Sequence, residues 1–223
     1  MKILLTGFNP FGKVKRNPSE LIVRRLRERP RAVVRADLVL EVLPTEFLSA
    51  GKRIQELIRE VRPDAVVCLG VAQMRTAISL ERFALNVNDC TLPDNAGARA
   101  EGRCIAEKGP EAYRSTLPLD YMREALQQRG IPVHISNHAG TYVCNHVFYT
   151  ARDEVEHLDH PARCGFIHVP RLCRPGQFAL WQAARKWWKA LPGPGLPLST
   201  MVQAVEICLH VVEEETVPLE GKL

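Results

Sequence analysis

Cys144 is the residue in this sequence best placed to attack a substrate. It lies near the end of the segment 136–145, which joins the extended apolar run Pro132–Ile135 to a predicted helix. Thr141 is a suitable N-cap, so Cys144 falls in the first helical turn, where unpaired N–H groups and the helix dipole favour an anion. We therefore expect the pKa of its thiol to lie below the ordinary value of about 8.5, as in a nucleophile. The alternative is a small apolar side chain packed in the core.

Two further side chains could complete a nucleophilic site. His168 ends the apolar strand predicted over Gly165–Val169, and strand carboxyl ends are where α/β proteins place their sites. Glu81 alternates with apolar residues in the strand predicted over Ala77–Asn88, so its carboxylate faces the core. A buried carboxylate needs a partner, and Arg82 points to the opposite face. We expect a histidine partner, because carboxylate, thiol and imidazole form the orienter, nucleophile and base of acyl-transfer enzymes.

A dense group of histidines and cysteines raises zinc binding as a second chemistry. Eight such residues fall within 35 positions: His134, His138, Cys144, His146, His157, His160, Cys164 and His168. The spacing of His157, His160 and Cys164 is acceptable for zinc. However, the ligands would come from a strand, a loop and a helix, and acidic neighbours suggest that two of the histidines are solvated. Zinc binding remains the alternative from another functional class.

The segment Gly7–Val14 nearly matches a phosphate-binding loop and follows the first predicted strand. Val14 stands where a serine or threonine would bind magnesium, and Pro10 lacks the N–H that would contact phosphate. A nucleotide-binding module is therefore a weak alternative. Phe8 and Phe11, three positions apart, could instead enclose a small flat ligand or cover an edge of the core.

The composition is that of an ordinary soluble globular protein. The chain has 223 residues, 46% hydrophobic and 25% charged, which suits one domain over 1–223. No apolar run approaches the ~18 residues of a membrane span, and the N-terminal run is too short for a signal peptide.

Seven cysteines without a CxxC pair favour a reducing, cytoplasmic location. The net charge of +5 is scattered, so we expect neither a nucleic-acid nor a membrane partner.

Strands and helices are predicted to alternate along the chain. The other predicted strands are Lys2–Thr6, part of Ala32–Leu43, and Asp64–Gly70. One predicted helix begins at Pro18 with Asn17 as its N-cap. Three more are predicted over Glu46–Val61, Pro118–Arg129 and Thr200–Glu215. The last of these has a capping box of Thr200 and Gln203. Residues 89–117 are predicted to be a long loop, and 171–198 carry no clear pattern. The alternation predicts an α/β fold with a mostly parallel sheet covered on both faces.

Five ordered motifs extend over nearly the whole chain. They are Thr6-Gly7-Phe8 with Pro10-Phe11-Gly12 and Asn17-Pro18-Ser19; Ile78 with Glu81-Arg82; Pro93-Asp94-Asn95; Ser136-Asn137 with Ala139-Gly140, Tyr142 and Cys144-Asn145; and Phe166-Ile167-His168-Val169-Pro170. Together they resemble the pyroglutamyl peptidase I (pyrrolidone-carboxylate peptidase) family of cysteine peptidases.

This resemblance implies a fold, a reaction and an assembly. The fold would be a three-layer α/β/α sandwich with a mostly parallel central sheet. Glu81, Cys144 and His168 would be the catalytic residues, removing an N-terminal pyroglutamyl residue from peptides through a thioester, with the N–H of Cys144 among the groups that stabilise the oxyanion. The family is commonly tetrameric and uses no cofactor, so a homotetramer without a metal or cofactor is expected.

The resemblance also implies a pocket for the lactam ring of pyroglutamate. Phe8 and Phe11 would flank the ring, Asn17 would donate to its carbonyl, and backbone groups near Val71 would pair with its polar atoms. An uncharged lactam needs such apolar walls and few hydrogen bonds, whereas a charged N-terminal amine would be excluded by its desolvation cost. The remaining substrate-binding residues implied are Leu92, Tyr142 and Val143.

Several positions depart from the family pattern. Many members carry an arginine near the oxyanion where this sequence has Thr91, and His138 replaces a small hydroxyl residue. Asn9 and Lys13 replace an acid and a glycine. We expect Thr91 to affect the rate, through the stabilisation of the transition state, more than the type of reaction.

Overall fold

The fold is built on a central sheet. A computed structural model describes residues 1–28, 34–174, 176–185 and 193–216 of the chain. The strands of the central sheet are β1 (Lys2–Phe8), β2 (Asp37–Leu43), β3 (Ala65–Ala72), β4 (Ile78–Leu85), β7 (Ala112–Arg114), β8 (Val133–His138) and β9 (Arg163–Pro170). Their order is β2-β1-β3-β9-β4-β7, with β8 also paired to β4. Strand β4 runs antiparallel to β9 and β7, whereas the other pairs of this sheet are parallel.

Helices cover both faces of this sheet. They are α1 (Pro18–Arg27), α2 (Phe47–Val61), α3 (Leu119–Gln128), α4 (Val143–Glu156), α5 (Gln177–Arg185) and α6 (Leu198–Thr216). Helices α1, α3 and α6 pack over one apolar cluster, and α2 and α4 pack over a second cluster on the other face. The predicted α/β/α sandwich is therefore confirmed. In the described ranges, no helix combines the length and the apolarity that crossing a membrane requires.

The start of α1 confirms its predicted cap. The Asn17 side chain accepts a hydrogen bond from the Ser19 N–H at 3.1 Å, and Pro18 occupies the first helical position. The predicted capping box of α6 is wrong, because the helix begins at Leu198 and Thr200 therefore lies inside it. The apolar stripe predicted for this helix is confirmed, since its members are buried: Val202, Val205, Leu209 and Val212.

The cap predicted for α4 is also wrong. The helix begins at Val143 with Tyr142 as N-cap, and no side chain caps it. Thr141 instead donates its hydroxyl to the backbone oxygen of Asp89, because this loop packs against the segment that follows β4. Cys144 nevertheless occupies the first turn, as predicted.

The prediction of a long loop over 89–117 is wrong in part. Short strands β5 (Asn88–Cys90) and β6 (Ala100–Arg103) pair with each other, and β7 joins the central sheet. These strands carry no alternating apolar pattern, so the sequence did not reveal them. Buried polar side chains order the segment: Asn86 accepts hydrogen bonds from the N–H groups of Ile105 and Ala106, and Asp94 binds the backbone around residue 96. In the unassigned 171–198 region the structure describes α5, while residues 175 and 186–192 lie outside the described ranges.

Candidate active site

A buried histidine–carboxylate pair joins β9 and β4. The antiparallel register places Ser79 opposite His168 and Glu81 opposite Phe166, so Glu81 and His168 are diagonal neighbours on one face. The Nδ1 of His168 lies 2.8 Å from the Oε1 of Glu81, and both side chains are almost fully buried. The expectation that the buried carboxylate has a histidine partner is confirmed.

Arg75 is a third member of this charge network, and sequence reasoning missed it. It lies in the loop between β3 and β4, and its guanidinium forms an ion pair with the same Oε1 atom of Glu81. Burial alone would raise the pKa of the Glu81 carboxyl, but the hydrogen bond from His168 and the charges of His168 and Arg75 hold it below its usual range. Glu81 is therefore a carboxylate. The role of Arg75 could not be predicted from the sequence, because Arg75 lies in a loop and belongs to no helical or strand pattern.

Cys144 lies directly over the sheet beside this pair. Its Sγ is so close to Gly70 that a Cβ added there would lie 2.8 Å from the sulfur. Gly70 is the register partner of His168 in the parallel pair of β3 and β9. A glycine is needed at this position because a helix start approaches the strand closely. The structure thus brings the three predicted catalytic residues together on one face of the sheet.

The expected low pKa of the Cys144 thiol is wrong. Burial, and then the negative charge of Glu81, raise this pKa to about 12, while Arg75 acts in the opposite direction. The effect of the helix start on this pKa is smaller than that of lost solvent, because the sulfur lies directly over β3 at Gly70. Cys144 therefore rests as a neutral thiol, and a base must take its proton when it reacts.

The first turn of α4 offers hydrogen-bond donors beside the sulfur. Hydrogen bonding inside the helix begins with His146, whose N–H donates to the Tyr142 carbonyl at 3.1 Å. The N–H groups of the preceding turn, including that of Cys144, have no acceptor within the helix. Free N–H groups of this kind can stabilise an oxyanion in acyl transfer.

Asn145 fixes this helix start against the end of β4, a role that sequence reasoning did not assign. Its side chain is fully buried, accepts from the Leu85 N–H at 2.8 Å and donates to the Leu85 carbonyl at 2.8 Å. It also donates to the Val87 carbonyl at 3.0 Å. These three bonds connect the residue after Cys144 to the strand that carries Glu81.

Aromatic side chains from several segments lie near the three predicted catalytic residues. Phe8 is buried, with its ring centroid 6.5 Å from that of Phe166. Phe11 is half-buried and packs against Tyr142 with 5.9 Å between centroids. The Tyr142 ring also meets Phe47 edge-on at 5.4 Å, and its O–H donates to the Pro93 carbonyl at 3.0 Å.

The other predicted pocket residues differ in exposure. Asn17 is fully buried; its amide donates one hydrogen bond to the Asn9 carbonyl at 3.0 Å, and its second N–H makes none with the described residues. Val71 lies at the carboxyl end of β3 and is 8% exposed, and Val143 is fully buried. Leu92 is 46% exposed, so it can contact only a ligand at the rim.

Both departures near the site face solvent. Thr91 and His138 are exposed, and the Nδ1 of His138 accepts a hydrogen bond from the Gly140 N–H at 3.1 Å. His138 therefore braces the loop that leads to Cys144.

The zinc alternative finds no support in the geometry. His157 binds the Asp153 carbonyl at 2.7 Å, His160 lies 3.2 Å from the Pro63 carbonyl, and Cys164 is buried in the core. Within the part of the chain that the structure describes, no three histidine, cysteine or acidic side chains converge as metal ligands.

His146 is a half-buried neutral histidine in the contact between α2 and α4. A Cβ at Gly51 would lie 2.5 Å from its Nε2, and its Nδ1 lies 2.9 Å from the Asn88 side-chain nitrogen. Burial lowers the pKa of His146 from 6.5 to about 4. The unfolded chain therefore binds this proton more readily than the folded protein does, so the stability due to neutral His146 is lost as pH falls from 6.5 towards 4.

We expect His146→Gln to reduce the loss of stability in acid. The wild type should lose about 3 kcal/mol of unfolding free energy between pH 7 and pH 4 through this one group. Glutamine can still bind Asn88 but does not titrate, so the variant should lack this component in urea unfolding measured at both pH values. His210→Gln, a change at an exposed histidine of α6, is the control. An equal acid loss in His146→Gln and the wild type would contradict the assignment.

Comparison with known proteins gives a consistent result. A sequence model of the family described as pyroglutamyl peptidase matches residues 1–215. A pyrrolidone-carboxylate peptidase of Bacillus cereus is 38% identical over 223 residues, covering 98% of this chain and 97% of that protein. The pyrrolidone-carboxylate peptidase of Thermococcus onnurineus is 40% identical over 209 residues, covering 94% of this chain and 97% of that protein.

Solved structures show the same relationship. A mutant pyrrolidone carboxyl peptidase from the hyperthermophile Pyrococcus furiosus superposes with a TM-score of 0.84 at 36% identity, covering 97% of this chain and 100% of that chain. The crystal structure of pyroglutamyl peptidase I from Bacillus amyloliquefaciens gives a TM-score of 0.83 at 35% identity, covering 96% of this chain and 98% of that chain. With the match over residues 1–215, these similarities place the chain in the pyroglutamyl peptidase family, the cysteine-type exopeptidases that remove N-terminal pyroglutamate from peptides.

Proposed function

We propose that this chain hydrolyses the bond after an N-terminal pyroglutamyl residue with Cys144 as nucleophile, His168 as acid and base, and Glu81 as orienter. The observation that carries the proposal is the buried 2.8 Å bond between His168 and Glu81, beside a thiol at a helix start. Such a set of nucleophile, base and orienter serves acyl transfer on unrelated folds.

In the first half-reaction, the neutral thiol must lose its proton as it attacks. His168 donates its Nδ1–H to Glu81, so its Nε2 can accept the Cys144 proton. The sulfur bonds to the pyroglutamyl carbonyl carbon, and the carbonyl oxygen becomes an oxyanion facing the N–H groups of the first turn of α4. The imidazolium then gives its proton to the amine of the leaving peptide, and a thioester remains on the enzyme.

The second half-reaction releases pyroglutamate. A water molecule gives its proton to His168 and attacks the thioester carbonyl, and the imidazolium returns the proton to the sulfur as the C–S bond breaks. Free pyroglutamate and the thiol of Cys144 are formed. Glu81 stabilises the imidazolium in both steps without being protonated, because its pKa is held low.

The pocket proposed for the lactam combines aromatic walls with few polar groups. Phe8 and Phe11 supply apolar surface, and the second N–H of the Asn17 amide can donate to the lactam carbonyl. Backbone groups at the end of β3 near Val71 lie on the edge where Cys144 and His168 meet. The other residues proposed to contact substrate are Leu92, Tyr142 and Val143.

A fluorogenic pyroglutamyl-coumarin substrate tests the reaction. We expect hydrolysis that a long incubation with iodoacetamide abolishes and that EDTA leaves unchanged. The incubation must be long because the high pKa of Cys144 leaves little thiolate to be alkylated. Activity lost to EDTA but insensitive to alkylation would refute the thiol mechanism.

Phe11→Ala should weaken recognition of the lactam ring. Removing an aromatic wall should lower kcat/KM for the pyroglutamyl substrate by about 10–100-fold, the cost of ~1–3 kcal/mol of lost apolar contact. Phe11→Leu, which keeps an apolar wall, should recover most of this loss. The measurement is the ratio of kcat/KM for pyroglutamyl and prolyl substrates. Unchanged kinetics in Phe11→Ala would return this residue to a packing role.

We further propose that residues 1–223 form one catalytic domain that assembles as a homotetramer in a reducing, cytoplasmic environment. The single domain is supported by the two apolar clusters, which lie on opposite faces of one sheet. The reducing location is supported by seven cysteines that are all free thiols. The tetramer is supported by the family resemblance, and light scattering during size-exclusion chromatography measures it directly.

A further inference from the structure

A second cavity lies on the face of the sheet opposite to Cys144. It has a volume of about 300 Å³ and opens between the start of α3 and strands β4, β7 and β9. Its apolar floor includes Leu117 and Ile135, which belong to the cluster under α1, α3 and α6. Arg82 reaches this face because it follows Glu81 in β4, and successive strand residues point to opposite faces.

Three arginines line this cavity, which we call the arginine pocket: Arg82, Arg114 and Arg163. The Arg82 guanidinium donates to the Asn137 side-chain oxygen at 2.7 Å. The Arg163 guanidinium donates to the backbone carbonyls of Thr116 at 3.0 Å and Glu215 at 2.8 Å. These partners are uncharged, so they orient the two guanidinium groups without neutralising them.

The charge of the arginine pocket is largely uncompensated. Across residues 1–28, 34–174, 176–185 and 193–216, no carboxylate forms an ion pair with any of its three arginines. Two acidic residues also line the pocket, but Asp120 is paired with Arg123 at 2.8 Å. Among the described residues of the lining, Glu215 therefore remains as the one acid without an ion-pair partner there, against three guanidinium groups. Like charges gathered in one cavity repel each other, and a bound anion would relieve that repulsion.

The start of α3 adds donors to the same cavity. Pro118 and Leu119 line it, and no side chain caps the helix. The first helical hydrogen bond runs from the Met122 N–H to the Pro118 carbonyl at 3.0 Å, and the Leu119 N–H donates to the Leu117 carbonyl at 2.8 Å. The N–H groups of Asp120 and Tyr121 therefore have no acceptor within the helix and can reach an anion. Guanidinium groups and helical N–H groups both donate hydrogen bonds, and the oxygen atoms of a phosphate accept such bonds.

We propose that the arginine pocket binds a small inorganic polyphosphate of pyrophosphate size. Guanidinium groups pair bidentately with phosphate oxygens, and three of them match an anion that carries several charges. The volume is at the lower end of the ~300–1,000 Å³ range of small-molecule sites, which suits two linked phosphates better than a whole nucleotide. The site does not depend on the proposed peptidase mechanism, because none of its residues touches Cys144 or His168.

Binding at the arginine pocket joins elements from distant parts of the chain. Arg82 and Arg114 belong to the antiparallel strands β4 and β7, where the Ser115 N–H also donates to the Arg82 carbonyl at 2.8 Å. Arg163 begins β9 and contacts the end of α6 through Glu215. An anion held by all three arginines therefore stabilises the folded protein by mass action.

Isothermal titration calorimetry of the full chain with inorganic pyrophosphate at constant ionic strength tests this proposal. We expect saturable binding of one anion per chain that potassium chloride does not reproduce, together with a rise in melting temperature. Arg114→Gln should weaken binding by about tenfold or more, because it removes a charged fork from the pocket. Arg82→Gln should act in the same way. Arg103→Gln, a change at an exposed arginine of β6, should bind like the wild type.

Two results would overturn the proposal. One is the absence of saturable heat with pyrophosphate at matched ionic strength. The other is that the wild type, Arg114→Gln and Arg82→Gln bind pyrophosphate with equal affinity, while their melting temperatures without ligand are the same. Hydrolysis of the coumarin substrate is measured in parallel and should be intact in Arg114→Gln, so a failure of this site is distinguishable from a failure of the peptidase.

Discussion

Cys144→Ala should abolish hydrolysis of pyroglutamyl substrates while leaving free pyroglutamate bound with nearly unchanged affinity. No other group in the site can form the thioester, so kcat should fall by at least about 10³–10⁴-fold. The proposed lactam pocket consists of other side chains, and the alanine removes only a sulfur that lies over Gly70. Stopped-flow fluorescence and calorimetric titration measure the two properties separately.

The matched control is Cys104→Ala, which removes an exposed thiol. It should retain full activity and full sensitivity to alkylation. Normal turnover by Cys144→Ala would show that the nucleophile is elsewhere. Loss of both turnover and pyroglutamate binding, with an unchanged melting temperature, would instead make Cys144 a binding residue.

Glu81→Gln should lower kcat by about 10³-fold with a small change in KM, since replacing the orienting carboxylate of such a site by an amide costs up to ~10⁴-fold. The amide is neutral, so the imidazolium formed on His168 loses its counter-ion. The amide nitrogen can also face the Nδ1 of His168 and favour the wrong tautomer. In addition, the Arg75 guanidinium loses its ion-pair partner and is left beside His168.

A double-mutant cycle separates the charge network from a general loss of structure. Arg75→Gln alone should lower kcat, but it should cost little more in a Glu81→Gln background because the ion pair is already broken. Glu60→Gln, an exposed change on α2, is the control for loss of a carboxylate. Two results would contradict this network. One is that the losses of kcat in Glu81→Gln and Arg75→Gln add up in the double variant. The other is a rise in KM without a fall in kcat.

The sequence was sufficient to predict the alternation of strands and helices and the three catalytic candidates. The signal for Glu81 was physical: a carboxylate on an apolar strand face requires a partner, and His168 is that partner. The position of Cys144 in a first helical turn was also readable from helical spacing, although the capping residue was not. These predictions depend on patterns among residues that are close in the sequence, and the folded structure shows the same patterns.

The features that were missed depend on tertiary proximity. Arg75 and Asn145 act through contacts that no helical or strand period encodes. The pKa of Cys144 was predicted in the wrong direction because burial against Gly70 outweighs the effect of the helix start. Strands β5 and β6 were missed because they are short and polar and are held by the side chains of the insert.

The protonated state of Cys144 has a consequence for the lifetime of the protein in air. Peroxide oxidises thiolates, so a half-buried thiol with a pKa of about 12 that lies against Gly70 of β3 should be attacked slowly. Exposed Cys104 should be oxidised first, without loss of activity. Preparations stored without a reducing agent are therefore expected to gain mass by oxygen addition well before they lose turnover.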